Sequence, residues 1–380
     1  MAVTVLVTDP DLNVIGDPLE WTSLDVTLRF NQVSTGTVVA AAHPETMALL
    51  AGGNRLLVIR DGTVFVAGPY EGDDYDWRVG EDPGVVAVNF ADDLAYLAGR
   101  VTYPDPTLDA TSDSQPAYWT ATSTAAGTVM LALADANAGP TALEARQVTA
   151  LTMGTGTGVG ASVSFSTRFQ PLLDELRTLA TVGGGLGFRT TQDGPAIVFD
   201  VYAPTDRSVG AGAVRYSRSL GNLRSVSRKR RRPSVTAAIV GGQGEGADRT
   251  IRERTDTAGI GDWWRSEIFV DQRQTDDTTE LDQAGDEALT EGAETVALAI
   301  TTVDTATQRY GVHYNLGDKV AAEPVPGFQL ADVVRAVRLQ ADDSGEQITS
   351  AVGTDDAVAE PQWIRQMRAL DRRLGRLEAR

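Results

Sequence analysis

Apolar Leu24, Val26, Leu28 and Phe30 alternate with polar Asp25, Thr27 and Arg29, the period-two signature of a strand with one wet face. Two further apolar runs, Arg55 to Arg60 and Thr63 to Ala67, are joined by Asp61-Gly62, a pair suited to the positive backbone angles of a tight hairpin. Val85 to Phe90 follows the turn residues Pro83-Gly84 as another strand. Between these runs His43-Pro44-Glu45 opens a short helical segment, which Gly52-Gly53 closes. Residues 1 to about 104 therefore predict many short strands with few helices, a barrel or a sandwich.

The pattern changes near residue 104. Tyr103 to Ser123 is rich in Pro, Asp, Ser and Thr and reads as a boundary. A helix is predicted from about Thr124 to Asn137, closed by Ala138-Gly139-Pro140. In a second helix Phe169, Leu172, Leu173, Leu176 and Leu179 make an apolar face, and Gly183-Gly184-Gly185 ends it. Strands at Gly187 to Arg189 and Ala196 to Tyr202 complete a small α/β domain over 105–217.

From about 218 the β pattern returns. Ser234 to Val240 leads into a glycine-rich turn, Gly241 to Gly246. Arg249 to Arg254 and Trp264 to Val270, with a turn at Gly259 to Asp262, read as a long polar hairpin. One helix interrupts, Thr278 to Glu291, with Asp276 and Asp277 at its positive end and Gly292 beyond its last turn. Thr295 to Val303, Lys319 to Glu323, Asp332 to Gln340 and Gln347 to Val352 are the remaining strands. The fold class is α+β, mainly β: β-rich regions at 1–104 and 218–357 flank the α/β one.

The last segment, 358–380, has a different period. Trp363, Met367, Leu370, Leu374 and Leu377 are spaced by four, three, four and three, the a/d seam of a coiled coil. With Trp363 at d, Arg373 falls at g and Glu378 at e, positioned to pair between parallel copies, while Arg365, Arg368, Arg372 and Arg376 cover the outer face. Burying each core side chain contributes roughly 1.5–3 kcal/mol, against about 1–2 kcal/mol per residue for ordering the segment. So short a coil is marginal alone; it is expected to complete an assembly made upstream, the alternative being an amphipathic tail packed back on its own chain.

Charge and composition narrow the function. The formal net charge is −19 over 380 residues, which argues against general nucleic-acid binding. All but two of the 33 basic residues are arginine. They cluster in that terminal helix and at Arg228-Lys229-Arg230-Arg231-Arg232, a run that could grip phosphate but in so acidic a chain reads as an exposed strand end, or as an interchain contact with acidic surface on a neighbouring subunit. Zero cysteines remove disulfides and thiolate chemistry, and His43 and His313 are too far apart in sequence for a His-Glu-x-x-His motif. Neither lysine stands in a P-loop. Gly154, Gly156, Gly158 and Gly160 miss the dinucleotide-binding register, and Asp73, Asp74 and Asp76 miss the EF-hand spacing. No enzyme, cofactor or metal is expected. No apolar run approaches 18 residues, so no stable membrane insertion is expected. The start, Met1 to Asp9, has no basic n-region and reads as a first strand.

Taken together, Leu28-Arg-Phe-Asn-Gln, His43-Pro-Glu-Thr-Met-Ala-Leu-Leu, Ile59-Arg-Asp-Gly-Thr-Val and Phe169-Gln-Pro-Leu-Leu-Asp-Glu-Leu resemble a family of tail proteins of long-tailed actinobacterial phages. So do Val240-Gly-Gly-Gln-Gly-Glu-Gly, Glu253-Arg-Thr-Asp, Val270-Asp-Gln-Arg, Leu281-Asp-Gln-Ala-Gly-Asp-Glu-Ala and Leu316-Gly-Asp-Lys-Val, all in the same order. The resemblance implies a baseplate or tail-tip hub of the tail-associated-lysin-like kind. Such hubs are homotrimers whose two small tube-type β-barrel domains per chain make a pseudo-sixfold ring below the sixfold tail tube. It implies as partners the distal tail ring protein and tail tube, the tape-measure protein, and tip fibre or receptor-binding proteins, with genomic DNA only in transit at ejection. The site would be the virion tail tip, after synthesis in the host cytoplasm. Alternatives are a hub or spike adaptor of a contractile injection particle, a carbohydrate-binding or depolymerase tail protein using Trp77, Trp263 or Trp264, and, least favoured for want of zinc and cysteine chemistry, a peptidoglycan hydrolase.

Overall fold

The structure, a computed structural model, describes residues 3–353 apart from 80, 81, 274, 303, 304, 306 and 307, with strand positions 224, 225 and 296–302 described by their backbone only. The coil segment 358–380, with Trp363, Met367, Leu370, Arg373, Leu374, Leu377 and Glu378, lies outside the described residues. The chain is mainly β with few helices, and divides into two compact bodies. The larger holds residues up to Val226 together with Ile300–Val352; the smaller holds Ser227–Ala299.

The first region runs β1 (Val3–Thr8), β2 (Val14–Ile15), β3 (Trp21–Arg29), β4 (Thr35–Ala41), α1 (Pro44–Leu49), β5 (Arg55–Arg60), β6 (Thr63–Asp76), β7 (Val85–Ala91) and α2 (Leu94–Ala98). These strands are hydrogen-bonded in the order β3-β4-β7-β6-β5-β1-β2. The predicted hairpin at Asp61-Gly62 joins β5 to β6, both residues at positive φ (51° and 79°). Leu24, Val26 and Leu28 are buried as the alternation predicts, and Val38, Val58, Val86, Val88 and Phe90 join the same core. Helix α1 stops at Leu49, short of the expected Gly52-Gly53.

The middle region holds β8 (Trp119–Ala125), α3 (Ala126–Ala138), β9 (Leu151–Met153), β10 (Ser162–Thr167), α4 (Leu172–Val182), β11 (Gly187–Asp193) and β12 (Ala196–Tyr202). Helix α3 is apolar on nearly every side and buried on nearly every side, as such a helix must be. Leu172, Leu173, Leu176 and Leu179 of α4 meet Met130 and Leu133 of α3, with Phe188, Phe199 and Val201 from β11 and β12. Phe169 falls outside the helix: Gln170 precedes Pro171, and that position is biased away from α geometry. Phe169 instead takes φ +50° and stacks edge-on against Tyr103 at 5.5 Å. Periodicity does not show β8, which takes in Thr124 and Ala125 at the expected helix start.

The last region holds β13 (Arg215–Ser217), β14 (Leu223–Arg231), β15 (Ala237–Gly241), β16 (Ile251–Thr255), α5 (Thr257–Asp262), β17 (Glu267–Asp271), α6 (Thr278–Glu291), β18 (Thr295–Thr302), β19 (Lys319–Val325), β20 (Phe328–Asp342) and β21 (Gly345–Gly353). Within the larger body β20 pairs antiparallel with β21 on one side and with β3 on the other, Val337 opposite Leu28 and Leu339 opposite Val26. The chain's first and last β regions thus share one hydrogen-bonded layer. Among the described residues this layer is an open strand order; the expected closed barrels are not seen.

In the smaller body the expected polar hairpin is replaced by the order β16-β15-β17. The apolar β15 takes the middle, antiparallel to β16 and parallel to β17. Gly259 to Asp262 is a turn of α5, capped where Asp256 accepts from the Gly259 amide at 3.0 Å. A parallel neighbour needs a crossover in place of a tight turn; here the chain passes through β16 and α5 before returning as β17. Helix α6 has the predicted bounds and packs Leu281 and Gly285 inward, Gly285 against Val240 and Arg254.

Candidate functional site

Two places concentrate polar chemistry, one in each body. In the larger body Arg55 opens β5 and is 1% exposed. Its guanidinium grips Asp93 through three bonds, at 2.7, 2.9 and 3.2 Å, and reaches Gln192 on β11 at 3.0 Å and Thr8 on β1 at 3.4 Å. One side chain therefore ties the first β region to the middle region. Asn31, at φ +56° after β3, makes a second tie. Its amide donates to the Leu186 carbonyl and its side-chain oxygen accepts from the Phe188 amide, both at 2.9 Å. Arg177 of α4 donates to the Asn31 carbonyl at 2.9 Å.

Beside this junction lies a cavity of about 470 Å³. Phe30, Phe65, Phe188, Tyr202 and Tyr310 contribute aromatic walls, and Phe65 meets Tyr310 edge-on at 5.9 Å. Its ionic groups are largely matched: Arg309 bonds Asp61, and Arg60 bonds Glu346 at 2.9 Å. Asp92 also lines it, with Oδ1 buried and without a hydrogen-bond partner. Burial pushes the Asp92 carboxyl up to about 7, against hydrogen bonds from Ser34 that favour its charged form. Burial raises Asp93 too, and the Arg55 charge beside it pulls in the opposite direction. Among the described residues no cluster of His, Asp or Glu has metal-binding geometry.

In the smaller body the basic run lies where the sequence predicted, on the exposed end of β14. Arg230 lies over Trp263 and Arg232 over Trp264, each 4.8 Å from the ring centroid. Trp263 donates its indole N–H to Glu294 at 2.9 Å, and Arg230 bonds the same carboxylate. These hydrogen bonds, first from Arg230 and then from Trp263, hold Glu294 down to about 2. Trp264 is 52% exposed. The two tryptophans meet edge-on at 6.2 Å. Trp77, the third sugar-stacking suspect, is exposed beyond the end of β6.

The remaining sequence candidates have structural roles. Gly156 lies against the Val201 backbone, where a Cβ would sit 2.4 Å from its carbonyl oxygen, and Gly158 turns the chain at φ +82°, so these glycines serve packing and turning. Asp73 bonds Tyr70, Asp74 accepts from Asn89, and Asp76 pairs with Arg78, all on one strand and its flank. His313 Nδ1 accepts from the Arg309 amide at 3.1 Å inside a turn. Sequence reasoning missed Arg55 and Asp93. Their signal was an arginine and an aspartate each adjoining an apolar run, which reads equally well as the edge of a solvated strand.

A family model described as Siphovirus ReqiPepy6 Gp37-like protein matches residues 4–354. The chain belongs to that family. Among curated proteins none matches it. The fold is similar to that of the 43 kDa tail protein of prophage MuSo2 from Shewanella oneidensis, with TM-score 0.59 at 13% identity, covering 94% of this chain and 100% of that one. The tail protein from Neisseria meningitidis MC58 is similar to the same degree, TM-score 0.59 at 14% identity over 93% of this chain and 97% of the other. The Francisella PdpA–VgrG complex gives TM-score 0.50 at 8% identity, over 92% of this chain and 52% of the matched one. At these identities the likeness is one of fold.

Proposed function

We propose that this protein is the structural hub at the distal tip of a long phage tail, working as a homotrimer without catalysis. The observation that carries the reading is a fold shared end to end with two phage tail proteins, each matched over at least nine-tenths of both chains. Membership of a siphovirus protein family supports the same context. Pairing of β3 with β20 supports a ring role, because it makes the first and last β regions one continuous wall. In this reading residues 1–104 and 218–357 are the tube-type ring domains and 105–217 stands outside or below them. Three chains then offer six β regions to a sixfold tube, and the seam of Trp363, Met367, Leu370, Leu374 and Leu377, with Arg373 and Glu378 pairing across it, gathers them into a central coil. The ring closes the tail tube and opens for DNA ejection. Its neighbours are the distal tail ring and tube, the tape-measure protein, and tip fibre or receptor-binding proteins. Its place is the actinobacterial phage virion after synthesis in the host cytoplasm.

Gold-labelled antibody against the protein tests this on intact particles. Label confined to the tail end far from the capsid is the expected result. Label along the tube or on the capsid, or particles without label once disrupted tails are also probed, overturns the hub reading.

A further inference from the structure

In the smaller body most arginines are paired with a carboxylate. Arg252 pairs with Asp282 at 2.6 Å and Arg254 with Asp286 at 2.7 Å, both reaching from β16 to α6. Arg265 bridges Glu253 and Glu267 at 2.5 and 2.6 Å, Arg249 and Arg273 share Asp271, and Arg230 takes Glu294. Lys229 and Arg231 stand outside this scheme: both are exposed, and neither has an ion pair among the described residues. Alternation along β14 explains why. With Arg230 and Arg232 over the two tryptophans, Lys229 and Arg231 point to the opposite face. The strand also ends its sheet path, bonded to β18 alone among the described residues.

The same body has the complement. Glu280, Glu287 and Glu291 are exposed on α6 at spacings of seven and four, hence on one helical face, and no cation reaches them among the described residues. The Gln283 amide donates to Glu287 at 2.9 Å. Asp282 and Asp286, on the neighbouring face, are already held by β16.

We propose that these two surfaces form one interface between copies: the Lys229 and Arg231 face of β14 in one chain docks on the Glu280, Glu287 and Glu291 face of α6 in a second chain. The inference rests on the homotrimer reading and names the surfaces that make it. Two different patches meeting head to tail generate a rotation that repeats, and closure at three copies gives a ring. A second copy is favoured over nucleic acid because the chain as a whole carries −19 and would repel a polyanion. Such charge pairs chiefly set encounter rate and register, so the contact weakens with salt.

Light scattering and sedimentation of the full-length protein across a dilution series, at low and high salt, test this. Lys229→Glu with Arg231→Glu should weaken assembly by about tenfold or more, as should Glu287→Lys with Glu291→Lys, and the four changes together should restore it. Unchanged circular dichroism and melting confirm that each variant folds, and Lys229→Gln with Arg231→Gln serves should the reversal misfold. Wild-type assembly in all variants, or a combined variant as weak as the worse pair, overturns the interface and leaves the trimer standing. A wild-type chain that stays monomeric removes the trimer reading itself. Variants that assemble normally but lose a DNA oligonucleotide retained by the wild type would make β14 a nucleic-acid contact and also overturn the proposal.

Discussion

The two bodies use the same ionic pair, arginine with a carboxylate, in opposite surroundings. In the larger body Arg55 and Asp93 are each 1% exposed in their side chains, and the pair reaches β1 in the first region and β11 in the middle one. In the smaller body the Arg252–Asp282 and Arg254–Asp286 pairs have side chains between 26% and 51% exposed. They lie over a thin core of Val235, Ala237, Ala238, Val240 and Leu281. A buried pair is weak evidence of net stabilisation, since desolvating both ions costs much of what their attraction returns. Its influence is on specificity: one docking of the middle region satisfies Arg55, and others strand it. An exposed ladder tolerates exchange, and suits a surface whose remaining charges face outward.

The largest break in this comparison is Asp93→Ala, which leaves Arg55 buried and uncompensated. Removing one partner of such a pair costs about 3–5 kcal/mol, so urea unfolding of the full-length variant should shift by that amount. A loss under about 1 kcal/mol would place Arg55 in the same class as the surface pairs.

Asp92 gives the next effect, and its sign follows from its raised value. A carboxyl that titrates near 7 when folded, against an ordinary 3.8, binds its proton more tightly in the native state. Its contribution is fully present below pH 4 and is lost as pH rises toward 7, by up to about 1.4 kcal/mol per pH unit. Melting temperature should therefore decline over that window from this group, and Asp92→Asn should flatten the decline. An equal slope in the variant would remove Asp92 from the account.

Arg254→Ala should cost less than either of these, and less again at high salt, because its exposed pair with Asp286 is screened. The melting midpoint of the smaller body at two salt concentrations measures this. Smaller still is Arg232→Ala, which uncovers Trp264 and should cost about 0.5–1 kcal/mol as an exposed cation–π contact. Tryptophan emission reports whether the ring's surroundings change at all.

What the sequence revealed follows the range of the interactions involved. The alternation in β3, the Asp61-Gly62 hairpin and the capped helix α6 are local, and each was legible from a few adjacent residues. Pairing of β3 with β20 joins Leu28 to Val337, and no short-range pattern encodes that partner. The polar hairpin failed for a related reason: the turn residues Gly259 to Asp262 were visible, but the preference of β15 for the middle of its sheet was not. Arg228 to Arg232 was legible as an exposed strand end. Arg55 was not legible as a buried clasp, since its environment comes from Asp93, Gln192 and Thr8 at scattered positions. The coil residues Trp363 to Glu378 were read from period alone and belong to the proposal.

Trimeric assembly is the claim on which the hub reading turns, and the mass of the full-length protein in solution tests it most directly. Light scattering at micromolar concentration should give a value near three times 40.3 kDa, and Leu370→Asp with Leu374→Asp should lower it without loss of folded β signal. A single-chain mass at every concentration, in the wild type with its terminal segment intact, would contradict the account.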